Sequence, residues 1–127
     1  QYDLMSICTA CVASSGTATL ETALMELPTV LVYKLSPITW FLAKHLVHIK
    51  YAGLPNIILN KEVTPELLQS AVTPKNIKEI IEPWITDSSI RNQNVIEVRR
   101  VREKLGNSGA VQRVVELILN VAEKRNV

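Results

Sequence analysis

The stretch "ACVASSGTATLETALMELPTVLVY", residues 10–33, decides the fold. Ala10–Ser14 is short and apolar, and it runs into Ser14, Ser15, Gly16 and Thr17. An apolar run of that length, closed by turn residues, reads as a buried strand. From Thr17 to Glu26 the pattern changes. Ala18, Leu20, Ala23, Leu24 and Leu27 recur at helical spacing. Leu27-Pro28 ends that helix, because a residue before proline avoids the helical region. "TVLVY" (29–33) is β-branched and apolar, a second buried strand. Neither strand alternates with polar residues, as expected of a parallel sheet covered on both faces.

Working outward, Ser36-Pro37 is a helix start, a capping serine followed by proline in the first turn, and that helix is expected to reach about His48. "LPNIIL" (54–59) reads as a third short strand or an extended loop. Thr64-Pro65-Glu66 reads as the opening of a short helix, "PELLQS". Thr73-Pro74 opens another, through about Pro83. Asp87 or Ser88 caps a long helix to about Leu105, with Ile90, Val98, Val101 and Leu105 along one side. "GNSG" (106–109) breaks it, and a last helix from about Ala110 to Lys124 presents Val111, Val114, Val115, Ile118 and Val121. The expected class is α/β, a partial Rossmann-like parallel sheet over residues 1–86 followed by C-terminal helices over 87–127. Three strands make a thin parallel sheet, and "QYDLMSIC" reads as the last turns of a helix begun upstream. The chain is therefore expected to be part of a longer protein.

The totals agree with one domain's worth of globular chain. Of 127 residues, 47% are hydrophobic and 20% charged, enough to bury a core. The net charge of +2 is too small to imply nucleic acid. The longest apolar-rich stretch, "LSPITWFLAKHLVHI", is interrupted by Lys44, His45 and His48 and is too short to span a bilayer. Two cysteines with no secretory signal fit a reducing compartment.

The turn at 14–19 carries the chemistry. In open α/β sheets, ligands bind at the carboxyl ends of the strands, beside helix N-termini. The first N–H groups of a helix lack internal partners and carry partial positive charge, which suits phosphate. Gly16 admits close approach to the backbone, and Ser15, Thr17 and Thr19 add hydroxyls. Glu21, one turn further in, would repel a phosphate in contact but could accept hydrogen bonds from a ribose. Ordinary capping by Ser or Thr is the other reading of the same residues. The turn lacks the G-K-[ST] of a Walker loop and the three glycines of a dinucleotide fingerprint.

"SSGTATLETALMELPTVLVYKLSP", then "FLAKHLV", "YAGLPNIIL", "VTPELLQ" and "LGNSGAVQR", in that order, resemble the C-terminal part of the lipid-A-disaccharide synthase family of inverting GT-B glycosyltransferases. The resemblance spans roughly Ala10 to Arg113. It implies transfer of 2,3-diacylglucosamine from UDP to 2,3-diacylglucosamine 1-phosphate (lipid X), with release of UDP and with no cofactor or metal. It implies Ser15, Gly16 and Thr17 at the donor diphosphate, helped by Thr19, with Glu21 toward the ribose. Asn56 in "LPN" is implied at the active site as the candidate catalytic residue of this chain, with Glu66 and Gln69 nearby in nucleotide-sugar binding. Glu21 and Asn56 are thus expected to act through ligand contacts, so that truncating either would lower activity with little loss of stability. A missing N-terminal part, with its share of catalytic residues, is implied as a partner. So are a homodimer with exchanged C-terminal segments and a cytoplasmic location peripheral to the inner membrane. The alternatives are another GT-B enzyme that uses UDP-GlcNAc, or an interaction domain that keeps the fold without the chemistry.

Other constellations weigh less. Cys8-x-x-Cys11 with His45 and His48 could be two halves of a zinc site, but Cys11 falls in a strand and H-x-x-H is tighter than finger spacing. Small buried residues are the preferred reading of the cysteines. Trp40, Phe41, Leu42, Leu46 and Val47, beside Lys44, His45 and Lys50, suit an interfacial membrane helix or, preferably, a helix packed on protein. Arg99, Arg100, Arg102 and Lys104 are interleaved with Glu97 and Glu103 and read as a solvated helix face.

Overall fold

The computed structural model describes residues 2–14, 16–36, 39, 50–106 and 109–125. Strands β1 (Cys11–Ala13), β2 (Thr29–Tyr33) and β3 (Glu66–Leu68) form a parallel sheet in the order β1-β2-β3. Cys11 to Ala13 lie opposite Thr29 to Leu31, and Leu31 to Tyr33 lie opposite Glu66 to Leu68. The helices among the described residues are α1 (Tyr2–Ile7), α2 (Gly16–Leu24), α3 (Leu54–Leu59), α4 (Pro74–Thr86), α5 (Ser88–Leu105) and α6 (Ala110–Arg125). A 3-10 turn, Gln69–Ala71, follows β3.

The β1–α2–β2 unit forms where the sequence expects it. Thr29, Val30 and Leu31 are all buried in the central strand, as an uninterrupted apolar run in a parallel sheet requires. α2 packs on β1 and β2 and on α3 and α5. Ala23 of α2 meets Val63, Val98 and Val101, with Leu20, Ile58 and Leu59 around them. Ile90 and Leu105, expected on the same stripe as Val98 and Val101, are exposed at the two ends of α5.

Residues 54–71 correct the sequence reading twice. "LPNIIL" is a helix, not a strand. Gly53 precedes it in an extended conformation, Pro55 lies in its first turn, and Asn60 ends it with a left-handed φ of 50°. These stop and start signals flank a run of six residues, too short for periodicity to separate helix from strand. "PELLQS" is β3 and the 3-10 turn, not a helix. Leu31 N–H donates to Pro65 O at 2.8 Å, so β2's second edge takes Pro65 and the residues after it. Proline is tolerated there because it opens the strand, where no donor is needed. The Thr-Pro-Glu signature is overruled by a tertiary partner.

The later helices follow their caps. Thr73 Oγ1 accepts from Asn76 N–H at 3.1 Å and starts α4, which continues past Pro83 to Thr86. Asp87 Oδ1 accepts from Ser89 and Ile90 N–H at 2.7 and 3.3 Å and starts α5. Gly106, with φ 79°, ends α5. Of the helix expected from Ser36 to His48, only Ser36 and Thr39 are among the described residues. Between these two, Thr39 N–H donates to Ser36 Oγ at 3.2 Å, as a capping serine would accept.

Ion pairs tie α5 to its neighbours. Arg99 meets Glu26 at 2.7 Å, and Glu97 is shared by Lys61 at 2.6 Å and Arg100 at 3.2 Å. The Arg99 hydrogen bond holds the Glu26 carboxyl below its ordinary pKa, and the Lys61 bond does the same for Glu97. Both carboxyls therefore favour the fold above the ordinary carboxylate range and lose that contribution as pH falls through their lowered values. The basic face of α5 is thus solvated, with Arg99 and Arg100 paired. Cys8 is exposed and Cys11 half-buried, so neither is the buried small residue expected, because α1 and the short β1 lie at the edge of the described fold. Burial, with Cys8 nearby, raises the Cys11 thiol pKa. His45 and His48, the other half of the zinc reading, lie outside the described residues, as do Trp40, Phe41, Leu42, Lys44, Leu46 and Val47. Among the described residues, no helix is long and apolar enough to cross a membrane.

Candidate functional site

The carboxyl end of the sheet gathers most of the residues singled out in the sequence. β1 ends at Ala13 and α2 begins at Gly16, so the turn between them is two residues long. Ser15 lies outside the described residues. Gly16 begins α2, beside the loop 52–54. A Cβ built on Gly16 would stand 3.4 Å from Ala52 O and 3.9 Å from Leu54 Cγ. Thr17 is exposed, and Glu21, one turn further along the same face, is half-buried. Thr19 points the other way. It is fully buried, and its Oγ1 donates to Gly16 O at 2.6 Å. Thr22, also buried, repeats the contact on Thr19 O at 3.1 Å. These two hydroxyls are engaged with the backbone of the first turns of α2.

Asn56 is fully buried on α3, and its amide is saturated. Oδ1 accepts from Val63 N–H at 2.7 Å and Thr64 N–H at 2.9 Å. Nδ2 donates to Thr64 O at 2.6 Å and to Glu66 Oε1 at 2.7 Å. Two donors and two acceptor sites are all an asparagine amide has. Its contacts hold the 63–64 bend and Glu66, so stability is expected to depend on it more than a pure ligand contact would imply.

Glu66 and Gln69, at the end of β3, also reach backbone. The Glu66 carboxylate accepts from Ala52 N–H at 2.8 Å through Oε2 and from Gly53 N–H at 2.9 Å through Oε1. Gln69 grips Leu35 from both sides: its Oε1 accepts from Leu35 N–H at 2.6 Å and its Nε2 donates to Leu35 O at 3.2 Å. Gln69 does this with a φ of 53°. Such a left-handed conformation costs a non-glycine residue about 1 kcal/mol or more and persists only where its surroundings hold it.

Gly53 and Leu35 were not singled out in the sequence. Gly53 is the meeting point of the cluster: a Cβ there would lie 3.2 Å from Glu66 Oε1, 3.4 Å from Leu31 Cδ2 and 3.7 Å from Thr19 Oγ1. A glycine two residues before a proline was its sequence signal. Leu35 had none, because it is used through its peptide groups. The assembled end of the sheet thus sets the N-terminus of α2, with Thr17 exposed, beside the backbone at Ala52. Beneath lies a layer of backbone fixed by Thr19, Asn56, Glu66 and Gln69. Among the described residues, no group of three His, Cys, Asp or Glu side chains is placed to hold a metal ion. An arrangement of this kind can bind an anion through backbone N–H groups and a hydroxyl.

Comparison with known proteins bears on what that anion belongs to. The family model described as lipid-A-disaccharide synthetase matches residues 1–118. A lipid-A-disaccharide synthase of Sulfurihydrogenibium sp. (strain YO3AOP1) is 42% identical over 123 residues, covering 97% of this chain and 32% of that protein. Proteins of the same name from Geobacter metallireducens and Trichlorobacter lovleyi are 37% and 40% identical, covering 98% and 97% of this chain and 32% of each relative. The chain spans about a third of the length of these curated relatives.

Proposed function

The chain belongs to the lipid-A-disaccharide synthetase family, and from that premise we propose that it is the UDP-sugar-binding C-terminal part of a glycosyltransferase of lipid A biosynthesis. The donor is UDP-2,3-diacylglucosamine and the acceptor lipid X. An acceptor hydroxyl oxygen bonds to the donor's anomeric carbon with inversion, the bond from that carbon to UDP breaks, and UDP leaves with the electron pair. Gly16 and the following N–H groups of α2, with Ser15 and Thr17, hold the diphosphate and stabilise the charge that grows on it as UDP departs. Glu21 faces the ribose. Thr19, Asn56, Glu66 and Gln69 support that surface from below. The acceptor site and the catalytic base belong to an N-terminal part that completes a GT-B enzyme, and this chain alone is inactive.

The observation that carries this reading is the start of α2 at Gly16, directly after the carboxyl end of β1, with Thr17 exposed beside it. UDP binding by the intact protein tests it. A ligand that binds only the folded state adds about 2.7 kcal/mol of stability at a hundredfold excess over Kd. UDP is therefore expected to raise the melting temperature. Glu21→Ala should cut that shift and raise the KM for donor about tenfold, the loss expected for one or two charge-assisted hydrogen bonds. No UDP shift in the parent would favour an interaction domain without nucleotide chemistry, and faster turnover of unacylated UDP-GlcNAc would favour another GT-B enzyme.

We also assign the protein to the cytoplasmic face of the inner membrane as a peripheral protein, because both substrates carry acyl chains. It acts as a homodimer with exchanged C-terminal segments. α6 supports the dimer: Val111, Val114, Val115, Leu117, Ile118, Leu119 and Val121 are all exposed along its 16 residues. Covering such a surface in a second copy would bury over about 2,000 Å², the range of obligate interfaces. Light scattering is expected to give a dimer at micromolar concentration. A stable monomer that folds cooperatively there would remove the exchange.

A further inference from the structure

Leu35 stands just after β2 and Ala52 just before α3, and the end of β3 grips both points. Gln69 takes the peptide groups of Leu35, by a donor and an acceptor. Glu66, three residues earlier, takes the N–H groups of Ala52 and Gly53, by both carboxylate oxygens. Ala52 is also the residue beside Gly16. We propose that Glu66 and Gln69 are positioning residues, which fix the two ends of the 35–52 connection and so set the height of the Ala52–Gly53 backbone beside the diphosphate turn, without touching the donor themselves.

Three observations converge on this. Among the described residues the Gln69 amide bonds to Leu35 through both its oxygen and its nitrogen, and the left-handed backbone at Gln69 is held in a conformation that this side-chain grip can repay. The two Glu66 oxygens between them meet Ala52, Gly53 and Asn56, and Asn56 is itself buried and saturated, so the carboxylate is held from its far side. Gly53 leaves no room between the carboxylate and the loop, since even a Cβ would come within 3.2 Å of Oε1. A carboxylate in contact with a diphosphate would also repel it, whereas one turned into backbone N–H groups supports the site at no such cost.

The inference rests on the donor-site reading, and two measurements on the intact protein separate them. The first is amide hydrogen exchange at Leu35, Ala52 and Gly53 without UDP; the second is the UDP dissociation constant by calorimetry. Gln69→Leu should speed exchange at Leu35 about tenfold and weaken UDP about tenfold, the loss expected for a pair of hydrogen bonds. Gln69→Glu keeps the acceptor for Leu35 N–H and should fall between parent and Gln69→Leu in exchange. Glu66→Gln keeps one of the two carboxylate oxygens and should likewise fall between parent and Glu66→Ala at Ala52 and Gly53. Weakened UDP binding with unchanged exchange at these three amides would make the side chains direct donor contacts and overturn the proposal. Faster exchange with unchanged UDP binding would make them merely structural, and would overturn it too. A parent that binds no UDP would defeat the donor-site reading instead, and the grip would then stand or fall on the exchange data alone.

Discussion

Asn56→Ala is expected to destabilise the protein by about 3 kcal/mol, seen as a lower denaturation midpoint with an unchanged slope. The side chain has no exposed surface and makes four hydrogen bonds. Truncation strands the N–H groups of Val63 and Thr64 and the carbonyl of Thr64. Each buried group left unpaired costs about 1–3 kcal/mol, and partial relaxation or entry of a water would recover some of it. Activity would fall as well, because Glu66 loses a donor. Asn56→Asp sharpens the test. It keeps the acceptor for Val63 and Thr64 but sets a carboxylate against Glu66 Oε1 and Thr64 O, two acceptors with no proton between them. It should therefore be unstable at neutral pH and recover partly on acidification, as a shared proton restores the missing donor. An Asn56→Ala protein as stable as the parent would show that the four bonds contribute nothing net, and the original expectation of a pure ligand contact would return.

Leu31→Ala should cost a comparable amount, about 3 kcal/mol, through a cavity at the centre of the sheet. Leu31 is 1% exposed in the middle strand, and its N–H pairs with Pro65. Its Cδ2 would stand only 3.4 Å from a Cβ at Gly53, so the side chain also supports the loop from beneath. The cavity therefore opens directly under the candidate site, and UDP binding should weaken along with stability. Ile57→Ala, on the exposed side of α3, serves as the comparison and should cost well under about 1 kcal/mol. Equal losses from the two substitutions would mean that β2 is not the packed centre of this fold.

Much of the architecture was legible because its signals are local. Residues 10–33 announce strand, turn, helix and strand through a change of period, a serine-glycine turn and Leu27-Pro28. Thr73 and Asp87 announce α4 and α5 as caps, and the structure gives each the expected hydrogen bond. Residues 54–71 were read in the wrong order because their elements are only three to six residues long. Over such lengths Thr64-Pro65-Glu66 is an equally good start for a helix or for a proline-led strand, and only β2's edge decides. The site divides in the same way. That Gly16 belongs at the end of the sheet followed from the turn in which it stands, and that Asn56, Glu66 and Gln69 join it was implied by the family resemblance alone. What those three side chains touch could be read from neither. Their partners at Leu35, Ala52, Gly53, Val63 and Thr64 are peptide groups, which every residue carries, so the sequence holds no mark of them.

The Asn56 contacts have a further consequence during synthesis. They join residues no more than ten apart, whereas the pairing of Leu31 with Glu66 joins residues thirty-five apart. A ribosome adding about 5–20 residues per second leaves the second edge of β2 open for roughly 2–7 s before β3 has been made. Closing a ten-residue loop takes only about 10–100 ns. The bend from Asn56 to Glu66 can thus close almost as soon as it is translated. The last strand then reaches the waiting edge already shaped, with its carboxylate turned toward Ala52 and Gly53.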